Sequence, residues 1–278
     1  MKTLFALLLL KATLAAAQTA TANESRFYTD YIYSTHLKEY RKHNVYLPKD
    51  FDPVQNYPII YATDGSRKTE GSFFKKTLDS LIQNNIIKPV LYVGSHSNSK
   101  IADSTSRTTG DGSKFYMQFR NFEYVDNKPS RIQDSMVVDR FPNHMLYFTE
   151  ELIPTVEKEF NQKLTKEDRY FYGVSNGAGF GMSMLNMHPD LVGTYLCFST
   201  FGGAIRRSEW KKDVSYPDLF LIYGSEEFEF LKKDAEFLKS KYNELNGDAE
   251  IREFDGGHDY KVWNREFTNT ISELLKKE

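Results

Sequence analysis

Ser175 lies in Gly173-Val174-Ser175-Asn176-Gly177, between the β-favouring run Tyr170-Phe171-Tyr172 and the small-residue stretch Ala178-Gly179-Phe180-Gly181. A serine set this way between a strand and a helix reads as a nucleophile turn. The sharp reversal strains the turning residue and brings its flanks so close that only glycines fit there. At the N-terminus of the following helix, amide hydrogens and the helix dipole favour negative charge developing beside the serine. A hydroxyl attacks a carbonyl well only when a neutral imidazole takes its proton and a carboxylate holds that imidazole in one tautomer. The chain offers both partners in order, Glu226 and Glu227 at 51 and 52 residues after the serine, and His258 31 residues after Glu227. The two glutamates are adjacent and point differently, so only one can reach the imidazole. His36, His43, His96, His144 and His188 fall in edge strands, the irregular middle of the chain or helix ends, where solvated or structural imidazoles are ordinary. His258 instead follows Gly256-Gly257 on a loop after a strand.

These groups need a scaffold that converges on them. Arg26 to Pro48 alternates apolar with polar residues and predicts two antiparallel strands at a sheet edge. Tyr57 to Thr63 is a continuous apolar run, the mark of a strand buried on both faces, and it ends in Asp64-Gly65-Ser66-Arg67. A glycine at that point lets backbone approach a ligand. A helix carrying Phe73, Phe74, Leu78, Leu81 and Ile82 on one face and a strand over Pro89 to Gly94 complete a βαβ unit. Further strands are predicted over Thr194–Ser199, over Asp218–Glu227, which ends in acid, and over Ala249–Phe254. Helices follow on the spacing of Phe230, Leu231, Phe237, Leu238, Tyr242 and Leu245, and again of Trp263, Phe267, Ile271 and Leu274. The expectation is an α/β fold with a mainly parallel central sheet and helices on both faces. Ser175, the acid and His258 then all stand beyond carboxyl ends of strands, where open α/β sheets place ligands. Residues 95–143, rich in Ser, Thr, Asn, Asp and Gly, read as an irregular cap over that site. Within it Arg120-Asn121-Phe122-Glu123-Tyr124 either pins the cap through an ion pair or touches substrate. Met145, Phe148, Leu152, Val156 and Phe160 predict an amphipathic helix delivering the chain to the serine strand.

A chain of 278 residues with 40% hydrophobic content is long enough for one substantial domain, expected over 18–278. Residues 1–17 carry Lys2, an apolar run from Leu4 to Leu10 and a closing Ala15-Ala16-Ala17, the layout of a cleaved secretory signal. That predicts a secreted or periplasmic protein without a membrane anchor in its mature form. Loss of Lys2 and Lys11 with the leader takes the formal charge from −2 to −4, and nothing basic points to nucleic acid. The single Cys197 sits among apolar residues and reads as a buried structural side chain. Cys and His are too sparse for a metal site, and the chemistry above calls for no cofactor.

Together, Asp64-Gly65-Ser66-Arg67, Arg120-Asn121-Phe122-Glu123-Tyr124, Gly173-Val174-Ser175-Asn176-Gly177, Gly224-Ser225-Glu226-Glu227 and Gly257-His258 with Trp263 resemble the putative-esterase (esterase D-like) family of α/β hydrolases. The resemblance runs from about Arg26 to the end of the chain. That family includes feruloyl and acetyl-xylan esterases, enterochelin-type siderophore esterases, S-formylglutathione hydrolases and mycolyltransferases. It implies an α/β-hydrolase fold and a catalytic trio of Ser175, Glu227 and His258. The acid falls at Glu227 because such proteins place it three residues after the glycine closing its strand, although Asp is commoner there. It also implies an oxyanion hole from the amides of Asn176 and Ser66, and substrate contacts among Gly65, Arg67, Arg120, Tyr124 and Trp263. The expected substrate is a small-molecule or carbohydrate-linked ester. The segments around the site mix Arg67, Lys68, Arg107 and Arg120 with Asp64, Asp103, Asp111 and Glu123, and the cap carries Tyr116, Phe119, Phe122 and Tyr124. That mixture suits aryl or sugar-borne esters, such as feruloyl or acetyl esters, better than a polyanionic siderophore. Acyl transfer by the same residues is a further alternative, and a ligand-binding module without chemistry is the reading from another class.

Overall fold

In a computed structural model the protein is described over residues 24–65, 68–103, 106–108, 112–126 and 135–277. The expected leader 1–17, together with Ser66 and Arg67, lies outside the described residues. In chain order the strands are β1 (Arg26–Ser34), β2 (Glu39–Leu47), β3 (Ile59–Ala62), β4 (Leu91–Ser95), β5 (Arg107–Thr108), β6 (Lys114–Phe115), β7 (Arg169–Val174), β8 (Thr194–Phe198), β9 (Asp218–Gly224) and β10 (Ala249–Phe254). The helices used below are α1 (Lys68–Gln83), α2 (Phe119–Tyr124), α3 (Arg140–Leu146), α4 (Ile153–Glu159), α5 (Asn176–Met187), α6 (Glu229–Leu245) and α7 (Tyr260–Leu274).

Eight strands form one sheet in the order β1-β2-β4-β3-β7-β8-β9-β10, while β5 and β6 make a separate small hairpin. The edge pair β1–β2 and the β2–β4 pair are antiparallel, and every pair from β4 to β10 is parallel. All four residues of β3 are buried, and they alternate between two core clusters on opposite faces. Ile59 and Tyr61 join Phe148, Val156, Phe180 and Leu238 on one side. Ile60 and Ala62 join Phe74, Leu78, Trp263 and Phe267 on the other. This two-sided burial is why the parallel strands read as continuous apolar runs. The predicted amphipathic helix before β7 is not a continuous α-helix, because Tyr147–Leu152 widens into a π-helical turn between α3 and α4. Pro154 has no amide to donate four residues back, and the widened turn ends two residues before it.

The described part of the cap is more ordered than its composition suggests. Helix α2 is only six residues long, yet it buries Phe122, Glu123 and Tyr124. The Glu123 carboxylate is fully buried and takes Arg41 through both oxygens, at 2.6 and 3.0 Å, and Arg140 at 2.6 Å. Both guanidiniums also reach Glu39, from Arg41 at 2.7 Å and from Arg140 at 2.5 Å. Burial alone would raise the Glu123 pKa, but the two arginines overcome it and hold the group down at about 2. A carboxyl held lower in the folded than in the unfolded chain contributes stability above about pH 4.5, and that contribution is lost as pH falls toward 2. Glu123→Gln is therefore expected to cost about 3–5 kcal/mol by leaving two guanidiniums buried against a neutral group. Thermal melts from pH 6 down to pH 3 check this: the variant should melt lower at pH 6 and lose less stability on acidification.

Candidate active site

Ser175 turns the chain from β7 into α5 with φ 56° and ψ −127°, a conformation that costs a non-glycine residue about 1–3 kcal/mol. The surroundings over-determine it. Its amide donates to the Phe198 carbonyl at 3.0 Å, and its carbonyl accepts from the amides of Gly179 and Phe201, each at 3.0 Å. A Cβ on Gly173 would lie 2.6 Å from the Gly177 carbonyl oxygen, and one on Gly177 would lie 2.2 Å from Thr63 Oγ1. Both glycines are thus demanded by close packing of β7, α5 and the end of β3. The Asn176 amide, first in α5, has no acceptor within the helix. Among the described residues Ser175 Oγ makes no hydrogen bond to His258 Nε2, a link that in substrate-free enzymes is often long and tightens on binding.

His258 Nδ1 meets Glu227 Oε1 at 2.5 Å. The other oxygen, Oε2, accepts the Gly224 amide at 2.8 Å, so the carboxylate cannot rotate without breaking a bond. Its side chain is 1% exposed, whereas the imidazole is 44% exposed. Burial would raise the Glu227 pKa, but hydrogen bonds from His258, the Gly224 amide and Ser199 outweigh it and hold the acid ionised. Glu226 is exposed, with its amide given to the Gly256 carbonyl at 2.9 Å. Of the two adjacent glutamates, Glu227 is the one at the imidazole. Of the other histidines, His43, His96 and His144 are pushed down by burial to about 4, 4 and 3, and none of them faces a serine turn.

Several expected substrate contacts are placed elsewhere. Trp263 is fully buried: its ring stands edge-on to His258 with centroids 4.6 Å apart, and its Nε1 donates to Ser199 Oγ at 2.8 Å. It props the imidazole from behind and does not face a ligand. Tyr124 is also fully buried, its hydroxyl accepting the Asp64 amide at 3.2 Å. Arg120 forms a two-pronged ion pair with Asp64, 2.6 Å for each prong, and donates to Asn176 Oδ1 at 3.1 Å. Gly65 is needed for a different reason from the one expected. A Cβ there would lie 2.1 Å from the Gly94 carbonyl oxygen, its amide is given to Ser95, and its carbonyl accepts from Asn44. What approaches Gly65 in the fold is strand β4.

The structure also shows a groove that the sequence reading missed. Phe201, Gly202, Ala204, Ile205, Arg206, Arg207, Phe230 and Asp234 line a groove of about 460 Å³. Phe201 shares two hydrogen bonds with the serine turn, and Phe228, 68% exposed, immediately follows Glu227 and stacks on Phe230. The available signal was an aromatic followed by Gly202-Gly203 just past β8, and an aromatic pair just past the acid.

A family model described as "Putative esterase" matches residues 34–220. The chain is 24% identical over 245 residues to an endo-1,4-beta-xylanase/feruloyl esterase of Xylanibacter ruminicola, a match covering 84% of this chain and 29% of that longer protein. Among solved structures it is similar to a CE1 ferulic acid esterase from Anaeromyces mucronatus in complex with ferulic acid. There the TM-score is 0.65 at 16% identity, over 91% of this chain and 92% of that one. It is similar also to an enterochelin esterase from Shigella flexneri, with TM-score 0.66 at 17% identity over 89% and 57% of the two chains. These likenesses show the α/β-hydrolase fold.

The assignment of the acid gives a direct expectation. Glu227→Gln should lower kcat by about 10²–10⁴, because an uncharged partner neither fixes the tautomer nor stabilises the imidazolium, while Glu226→Gln should change it by less than about tenfold. Steady-state rates on one activated ester settle the difference.

Proposed function

Because the chain belongs to the Putative esterase family, and so is an esterase, we propose that it is a serine carboxylic-ester hydrolase acting on aryl or sugar-borne esters through Ser175, Glu227 and His258. The observation that carries this reading is the His258–Glu227 contact of 2.5 Å beyond the ends of β9 and β10, with a strained, glycine-flanked serine beyond β7.

Ser175 Oγ attacks the ester carbonyl as its proton passes to His258 Nε2. Glu227, ionised and fixed at both oxygens, stabilises the imidazolium that forms. The tetrahedral oxyanion is held by the Asn176 amide and by the amide that the family resemblance puts at Ser66. Each such donor is worth about 3–4 kcal/mol in the transition state. Collapse breaks the bond to the alcohol oxygen, which leaves with the proton from His258. Water, activated in turn by the imidazole, then attacks the acyl-enzyme and regenerates the serine.

The phenylalanine-lined groove supports an aromatic acyl group or alcohol, since exposed apolar surface beside a reacting centre normally marks where substrate lies. The runner-up is an enterochelin-type trilactone, favoured by the Shigella likeness and by Arg206 and Arg207 at the groove. Against it, Asp234 already neutralises Arg206 at 2.6 Å. Acyl transfer to an alcohol would use the same residues. Secretion is part of the proposal and rests on residues 1–17; N-terminal sequencing of the exported protein should begin near residue 18. No helix of the described residues is long and apolar enough to cross a membrane.

Ser175→Ala and His258→Ala are each expected to lower kcat by several orders of magnitude, and the double variant should be little worse than either, because the pair acts as a unit. A fluorophosphonate probe should label wild type and not Ser175→Ala; an unlabelled wild type would mean a binding module. For the substrate, kcat/KM on feruloyl or acetyl sugar esters should exceed that on a trilactone at two ionic strengths. A faster trilactone reaction that slows with added salt would install the siderophore esterase instead.

A further inference from the structure

Arg120 sits on α2 and joins two segments that border the nucleophile. Its Nε and Nη2 engage the two oxygens of Asp64, each at 2.6 Å, and its Nη1 donates to Asn176 Oδ1 at 3.1 Å. Its guanidinium lies over the Tyr124 ring, 5.0 Å from the centroid, and that tyrosine hydroxyl accepts the Asp64 amide. Asp64 is 1% exposed and has φ 59°, a left-handed conformation uncommon for a residue with a side chain. It directly follows Thr63, whose Oγ1 fills the space where Gly177 lacks a Cβ. One side chain from the cap therefore grips the turn after β3 and the first residue of α5.

Anchoring the cap does not require this pair. Three residues along the same helix, Glu123 is already held in the body by Arg41 and Arg140. A buried ion pair is also weak evidence of stabilisation, because desolvation offsets much of its attraction. What the Arg120 pair supplies is alignment in a planar, two-pronged geometry that lysine cannot reproduce. We infer that Arg120 is a positioning residue for the reaction, acting through Asp64 and Asn176 to hold the Asn176 amide where the oxyanion develops. The inference rests on the esterase reading above. It assigns Arg120 no contact with the ester.

The test uses the full-length protein with Arg120→Lys, Arg120→Ala and Asn176→Ala, the last leaving the backbone amide in place. The two Arg120 variants should lose about 30- to 100-fold in kcat with KM within about threefold, the signature of an interaction used only in the transition state. Added guanidinium salt should restore several-fold activity to Arg120→Ala and none to Arg120→Lys. Arg120→Ala combined with Asn176→Ala should be no worse than Arg120→Ala alone, because both remove the same link. A raised KM with kcat retained would make Arg120 a substrate contact and overturn the proposal, as would wild-type kcat in folded variants. Should Arg120→Ala fail to fold, Asn176→Ala still decides: unchanged kcat sinks the idea. These outcomes are separable from failure of the esterase reading, in which wild type itself would neither label with fluorophosphonate nor turn over.

Discussion

The backbone of Ser175 sits in a conformation that the residue would leave if its neighbours allowed it. Three hydrogen bonds to its own amide and carbonyl, from β8, the loop after β8 and α5, hold it there. The glycines on either side then let β7, α5 and the end of β3 close around it without room for a single extra carbon. The acid and the imidazole reach the site from the ends of neighbouring strands. β8 contributes Ser199 behind the acid, β9 leads to Glu227, and β10 leads to His258. Strain at one residue is sustained because the whole parallel sheet opposes its release.

Three buried carboxylates, two near that turn and one under the cap, each have both oxygens occupied. Glu227 holds an imidazole and the Gly224 amide, Asp64 holds two prongs of Arg120, and Glu123 holds two arginines. Occupied in this way, each is fixed in rotation, and the pKa values of Glu123 and Glu227 are held down by their partners. Only Glu227 faces an ionisable partner that is itself exposed to solvent. This asymmetry sets Glu227 apart as the one carboxylate of the three that meets a solvent-exposed imidazole.

The sheet was legible because its strands are buried on both faces, which leaves apolar runs such as Ile59-Ile60-Tyr61-Ala62 without interruption. The placement of Ser175, Glu227 and His258 beyond strand ends was legible because glycines and chain order mark those positions. Other roles could not be read. Trp263 and Tyr124 look like ligand-facing aromatics in a motif, yet their burial depends on the packing of α7 and α2, which no spacing reports. The need for glycine at position 65 comes from Gly94 on a neighbouring strand, a contact between segments almost thirty residues apart. Helix α2 is too short to show a helical period, and the phenylalanine groove joins two loops that only the β8–β9 pairing brings together.

The pairing of β3 with β7 joins Ile59 to Arg169, across 110 residues of chain. Contacts so distant in sequence form late, since the entropy of closing the intervening loop must be overcome before they stabilise anything. Thr63, which fills the space beside Gly177, arrives with β3, so the packing around the strained serine is complete only once that long loop has closed. Closure of the serine turn is thereby tied to completion of the central sheet. A chain without β3 would lack the Thr63 side chain that packs against the serine turn.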